Sequence, residues 1–274
     1  MGFGKMLNNA VTESANNGQS RMPNVFLDVR EGKRTFRFIP DPANPREPLQ
    51  GEIVLSLWLP VKRGDATVER RIFINDAMRK LIPENLQEKI KRRFFLNVYD
   101  RTRVVKLEDG TIVYPNLQNQ YFAKDSTGKT SQIANVTPKP NNTVMVLEGS
   151  VSFRQVAGRG GLLNELDDLS KTIYDEDGTS LIPITNVDIE MVTRGTGLST
   201  TRSVHPGMNR EPFPVAVDTL QVYNLSAYTR AYPDEALKAL LGGQDYNDVI
   251  RAFGLQIMPQ LKDNSPSADA DEIF

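Results

Sequence analysis

The sequence predicts a mainly β fold with α insertions: an OB-fold-like β-barrel followed by a C-terminal helical region and an acidic tail. Three observations lead there. From residue 25 to about 225 the chain is a series of short segments rich in β-branched and aromatic residues, separated by Gly, Pro, Asn and Asp. Helical spacing of leucines interrupts this series at Leu162 to Thr172, and helix start and stop signals mark residues 234–253. The final segment, DNSPSADADEIF, is acidic and lacks Lys and Arg. A β-sandwich is the alternative to the barrel.

Residues 1–20 read as a short helix at most, then a polar Asn/Gly/Ser linker. They form either a disordered leader or an arm that contacts a neighbouring subunit. The core is placed at residues 21–228. Its strands are VFLDV, KRTFRFIP, IVLSLWLPV, ERRIFIN, RRFFLNVYDRTRVVKL, TIVYP, TVMVLEGSVSF, TNVDIEMVTRG and LSTTRSV. Asp76 to Lys91 reads as helical around Pro83, which suits the first position of a second short helix. Leu162 to Thr172 is the other helical insertion. Asp109-Gly110 and Asp177-Gly178 mark turns. The helical region, 229–257, contains Asp234–Leu241, stopped by Gly242-Gly243, and Asp245–Phe253. The tail is placed at 258–274.

Composition removes several chemistries. With no Cys there are no disulfides, thiolate nucleophiles or Cys-ligated zinc, and His205 is the sole His. No apolar run approaches the ~18 residues of a membrane span, and no signal-peptide core is seen, so a cytoplasmic protein is expected. The net charge of −1 hides an asymmetry: residues 1–110 hold 20 basic and 14 acidic residues, the remainder 13 and 20. A basic front half keeps nucleic acid open as a partner, because binding follows the local field rather than the sum.

The strongest internal signal is Arg92 to Lys106. Alternate residues of a strand face opposite sides. Phe94, Leu96 and Val98 make an apolar face suited to a core, while Arg93, Phe95, Asn97, Tyr99, Arg101 and Arg103 make a cationic and aromatic one. Single strands need this combination: guanidiniums follow the phosphates, and rings stack on bases for about 1–3 kcal/mol each. The competing reading is a strand buried on both sides with solvated Arg at its ends. Neighbouring segments repeat the theme. Arg37 opposes Phe36 and Phe38; Arg71 and Phe73 share a face opposite Ile72 and Ile74. Trp58 lies opposite Leu57 and Leu59, before the turn at Lys62-Arg63-Gly64. Tyr121 and Phe122, beside Lys124, are either a loop platform or a core anchor, and Trp58 either platform or core.

The tail cannot bury enough apolar surface to fold alone. Asp269, Asp271 and Glu272 precede the apolar pair Ile273 and Phe274. Such a peptide is either a frayed end or a docking segment for basic grooves, on this protein or on others.

The tail resembles the acidic, Phe-ending tip of single-stranded DNA-binding proteins of bacteria and several phages. KRTFRFIPDP, RRFFLNVYDR and DIEMVTRGTGLSTTRSVHPG resemble segments of phage single-stranded DNA-binding proteins, whose best-known members are the helix-destabilising proteins of T-even phages. The resemblance covers about half the chain in patches. It implies DNA contacts near Arg37, Asn97, Tyr99 and Arg101 and, in the late hairpin, at Thr200 and Arg202. The T-even proteins bind zinc through Cys and His; this chain has no Cys, so a zinc-free branch is implied.

Other motifs are weaker. STGKT at 126–130 lacks the first Gly of a phosphate loop, that position being Ala123. Arg194-Gly195-Thr196-Gly197 reads as a hairpin turn. Asp175–Gly178 lacks the distal ligands of a calcium loop. His205 has no nucleophile partner signature. No enzyme and no cofactor are expected.

The expectation is therefore sequence-independent binding of single-stranded DNA in phage DNA replication, recombination and repair. Its tail would compete with DNA and recruit polymerase, helicase or primase, and recombinase, with self-association on DNA. The alternative is a structural or assembly β-protein of a virion without DNA affinity.

Overall fold

A computed structural model describes residues 25–27, 32–125, 127–151, 161–175, 177–195 and 201–262. Its strands are β1 (Gly32–Phe38), β2 (Glu52–Arg63), β3 (Ala66–Ile74), β4 (Lys91–Asp100), β5 (Arg103–Lys106), β6 (Ile112–Val113), β7 (Phe122–Lys124), β8 (Thr130–Gln132), β9 (Lys139–Pro140), β10 (Thr143–Ser150), β11 (Ile189–Arg194) and β12 (Thr201–Pro206). Its helices are α1 (Glu84–Gln87), α2 (Leu162–Ser170), α3 (Leu225–Tyr228), α4 (Asp234–Leu241) and α5 (Tyr246–Phe253), with a 3₁₀ turn at Ala77–Leu81.

β4 organises the structure. β10 pairs with it antiparallel along Arg93–Asp100. The other edge is shared: β2 takes Lys91–Phe95 and β1 takes Val98–Asp100. β3 extends the first branch; β11 and β12 extend the second. A forked seven-stranded sheet results, in the order β12-β11-β1-β4-β2-β3 with β10 on the free side of β4. The expected mainly β fold with α insertions is present. The expected closed barrel is not: among the described residues β3 and β12 end separate branches and do not pair, so the sheet stays open.

Alternation decides which residues make the core. On one face, Phe36, Phe38, Phe94, Val98, Met145, Leu147, Ile189 and Met191 are buried against Leu162 and Leu166 of α2. α2 comes close because Gly149 lies beside the Phe94 ring and Leu162, where a Cβ would clash. Further along the same face, Leu55, Leu57, Leu59, Ile72 and Ile74 pack on Met78 and on Ala236, Leu237, Leu240 and Val249 of α4 and α5. The helical region is therefore part of the main core. A fully buried side chain of this size contributes about 1.5–3 kcal/mol.

The long strand expected through Lys106 breaks at Arg101–Thr102. Asp100 is fully buried and accepts hydrogen bonds from Thr102 N at 2.9 Å, Asn141 Nδ2 at 2.8 Å and Tyr114 Oη at 3.2 Å. A buried carboxylate needs such donors, and satisfying them turns the chain away from the sheet. Beyond the turn, β5, β6 and β9 form a separate three-stranded sheet beside the β7–β8 hairpin. Val105, Val113 and Tyr121 fill its small core. These short strands at 122–124, 130–132 and 139–140 carry no hydrophobic alternation and are not predicted by the sequence. Thr127, Gly128 and Lys129 lie in the turn of the β7–β8 hairpin, with Gly128 at φ +83°, and Thr130 opens β8.

Pro83 caps α1 rather than opening it, one position from expectation. α4 and α5 match their expected ranges, and Asp245 caps α5 by accepting from Asn247 N at 2.8 Å. No helix among the described residues is long and apolar enough to cross a membrane.

Candidate nucleic-acid interface

The odd face of β4 is where the sequence places a DNA-binding stripe, and the structure buries most of it. Phe95 is fully buried, with its ring edge-on to Phe73 at 5.7 Å and to Tyr228 of α3 at 5.7 Å; Phe73 meets Tyr228 at 5.2 Å. Asn97 donates through Nδ2 to Tyr223 O and accepts at Oδ1 from Tyr223 N, both at 3.0 Å. Tyr99 packs on Phe213 at 5.5 Å. Residues 207–232 thus cover the stripe, and Phe73, Phe95, Asn97 and Tyr99 are core rather than platform. Between the two readings of this strand, the double-sided burial is the one observed.

Arg37 is also corrected. It is 1% exposed, donates through Nε to Asp188 Oδ1 at 2.7 Å, and holds the carbonyls of Glu211 and Pro212 at 2.7 and 3.0 Å. It clamps the covering segment onto the sheet. Tyr121 is an anchor: its hydroxyl donates to Arg103 O at 3.0 Å from within the small core. Arg63 lies on the face of Leu57 and Leu59, beside Tyr246, and so points away from Trp58. Thr200 and the tail residues Asp269, Asp271, Glu272, Ile273 and Phe274 lie outside the described residues.

What the sheet does bring together is a group of arginines around one carboxylate. Trp58 and Arg71 are cross-strand partners, as are Val54 and Arg93, Glu148 and Phe95, and Ser150 and Arg93. Cross-strand partners share a face. Arg71 Nη1 donates to Glu148 Oε2 at 2.8 Å, and Arg93 Nη1 stands 3.7 Å from Glu148 Oε1. The Arg71 guanidinium lies over Trp58, 5.2 Å from the ring. Arg202 is near enough to act electrostatically on the same group.

Solvent access is graded. The side chains of Arg71, Glu148 and Arg93 are 10%, 12% and 24% exposed, and Trp58 and Arg202 are half-buried. Burial works against the Arg71 charge, yet Glu148 and Tyr228 outweigh it and hold this guanidinium above its ordinary pKa. Burial lowers Arg93, with Glu148 opposing and Arg71 adding to the effect. Burial also lowers Arg202, and Arg93 lowers it further. All three stay charged, since arginine does not lose its proton in proteins. Such a group attracts a phosphate.

A second cationic surface lies on the β5–β9 unit. Arg103, Lys124 and Lys139 are exposed there, and Phe122 is 39% exposed on its hairpin. Arg101, 18% exposed, sits at the root of this unit and donates to Asn142 Oδ1 at 2.8 Å. Because the chain turns at Thr102, Arg101 and Arg103 do not continue the face of Arg93.

Sequence reasoning does not find Glu148, Tyr223, Tyr228 or Asp188. One signal was available for Glu148: it is an acid inside an apolar strand, where a charge needs a partner. Tyr223 and Tyr228 carry no local signal, since their role depends on a fold-back of over a hundred residues. The described chain also ends on this face: Lys262 N donates to Val222 O at 2.8 Å, and Leu261 bridges Tyr223.

Comparison of the chain with family models, with curated proteins and with solved structures gives no match.

Proposed function

We propose that the chain binds single-stranded DNA without sequence preference and acts in phage DNA replication, recombination and repair. The observation that carries this reading is the convergence of Arg71 and Arg93 beside the half-buried Trp58 on one sheet face, with Arg202 within electrostatic reach of Arg93. The guanidiniums would take phosphates, and Trp58 would stack on a base. The open sheet supplies this surface in place of the groove of an OB barrel. The β5–β9 unit, with Arg103 and Phe122, offers a second wall. Binding only the unpaired strand lowers duplex stability by mass action.

The acidic tail belongs to the same reading. Leu261 and Lys262, inside its expected range, pair with Tyr223 and Val222, next to Asn97. From there its carboxylates would compete with phosphates. Once displaced, Ile273 and Phe274 would anchor polymerase, helicase or primase, or recombinase, with the acids steering the encounter.

Titration with poly(dT) tests the proposal. Trp58 fluorescence should change saturably, and the affinity should fall steeply with salt. Duplex DNA and RNA should compete poorly. Burial of Phe73, Phe95 and Tyr99 supports the other reading, an assembly β-protein of a virion that needs no DNA. No response to poly(dT) at low salt would select that reading.

A further inference from the structure

We infer that Glu148 is a built-in counter-anion that holds the place of a phosphate, and that Arg93 exchanges Glu148 for the phosphodiester when a strand binds. This deepens the DNA-binding reading and rests on it.

The geometry is unequal in a telling way. Glu148 Oε2 takes a 2.8 Å hydrogen bond from Arg71, whereas Oε1 has Arg93 at 3.7 Å and accepts no hydrogen bond among the described residues. A carboxylate buried to this degree normally has both oxygens satisfied. The Arg71 arm of the pair is therefore set, and the Arg93 arm is loose. Arg93 is also the more open of the two arginines, at 24% against 10% exposed. Ser150, its exposed cross-strand partner, leaves a small side chain at its flank. A phosphate approaching from solvent meets Arg93 first, with Arg202 close by, and neither has to break a short hydrogen bond to Glu148. Arg71 stays on Glu148 and keeps its place over Trp58.

Two consequences follow from the charge count. In the free protein Glu148 partly neutralises Arg93, so fewer solution anions condense there. Binding then releases fewer of them, and affinity is lower than the arginines alone would give. Glu148 thus sets both affinity and salt response, and eases release of the strand.

The test is poly(dT) affinity against salt for the wild-type chain, E148Q, R93Q and the double variant. E148Q should bind several-fold tighter at low salt, with a steeper slope of log K on log salt, because more solution anions leave the arginines on binding. R93Q should flatten the wild-type slope, and should cost more affinity in the E148Q background than in the wild type. If E148Q binds like the wild type or more weakly, Glu148 only positions its arginines and the inference is wrong. Should E148Q not fold, R93Q decides alone: an unchanged slope overturns the exchange. A wild-type chain that ignores poly(dT) removes the DNA-binding reading itself, a result distinct from either of these.

Discussion

Arg37 and Asp188 form a buried ion pair, 2.7 Å from Nε to Oδ1, that joins β1 to the segment leading into β11. Asp188 stands 3.8 Å from Arg101 as well. Removing one partner of such a pair leaves a buried charge uncompensated. Asp188→Ala should therefore destabilise the fold by about 3–5 kcal/mol, read as a lower urea midpoint. Its effect on poly(dT) binding should follow the folded fraction alone. A specific loss of affinity in fully folded Asp188→Ala protein would return Arg37 to the binding surface.

Phe95 and Trp58 are assigned opposite roles and separate cleanly by mutation. Phe95 is fully buried against Phe73 and Tyr228, so Phe95→Ala should cost about 3–5 kcal/mol of stability. Trp58 is half-buried beside Arg71. Trp58→Ala should cost less stability and should weaken poly(dT) binding by about 1–3 kcal/mol. Denaturant curves and binding isotherms on both variants check the pair; equal loss of affinity per unit of lost stability would contradict the assignment.

Alkaline pH should unfold the protein through its buried tyrosines. Burial raises the Tyr228 phenol to about 12, and it raises Tyr232, Tyr246 and Tyr223 as well. A raised pKa in the fold means that the unfolded chain loses these protons first. Stability is then complete below pH about 10, the ordinary tyrosine value, and falls as pH rises toward the folded value. Tyr228→Phe should reduce that fall by about 1.4 kcal/mol per pH unit in this window. Urea midpoints taken across the range measure the slope, and an unchanged slope in Tyr228→Phe would refute the assignment.

Deleting residues 263–274 should tighten poly(dT) binding at low salt, because the competing carboxylates are gone, and should abolish capture of replication proteins. The gain should shrink as salt rises, since screening weakens the tail first. Equal affinity of both chains at low and moderate salt would remove the competition.

The sequence by itself determined most of the strands, the inward faces of β1, β2, β3 and β4, and the two C-terminal helices. These rest on alternation and helical period, which are local properties of the chain. Arg37 opposite Phe36 and Phe38, and Arg71 opposite Ile72 and Ile74, were correct as statements about faces. Only the tertiary structure decided what lies over each face. Residues 207–232 return across the chain to cover Phe95, Asn97 and Tyr99, and Asp100 turns the strand so that Arg103 leaves the stripe. No local period encodes such a return, because it depends on buried hydrogen bonds and ring contacts between residues far apart in sequence. For the same reason Glu148 becomes visible only when β10 is laid beside β4 and one carboxylate meets two arginines from different strands.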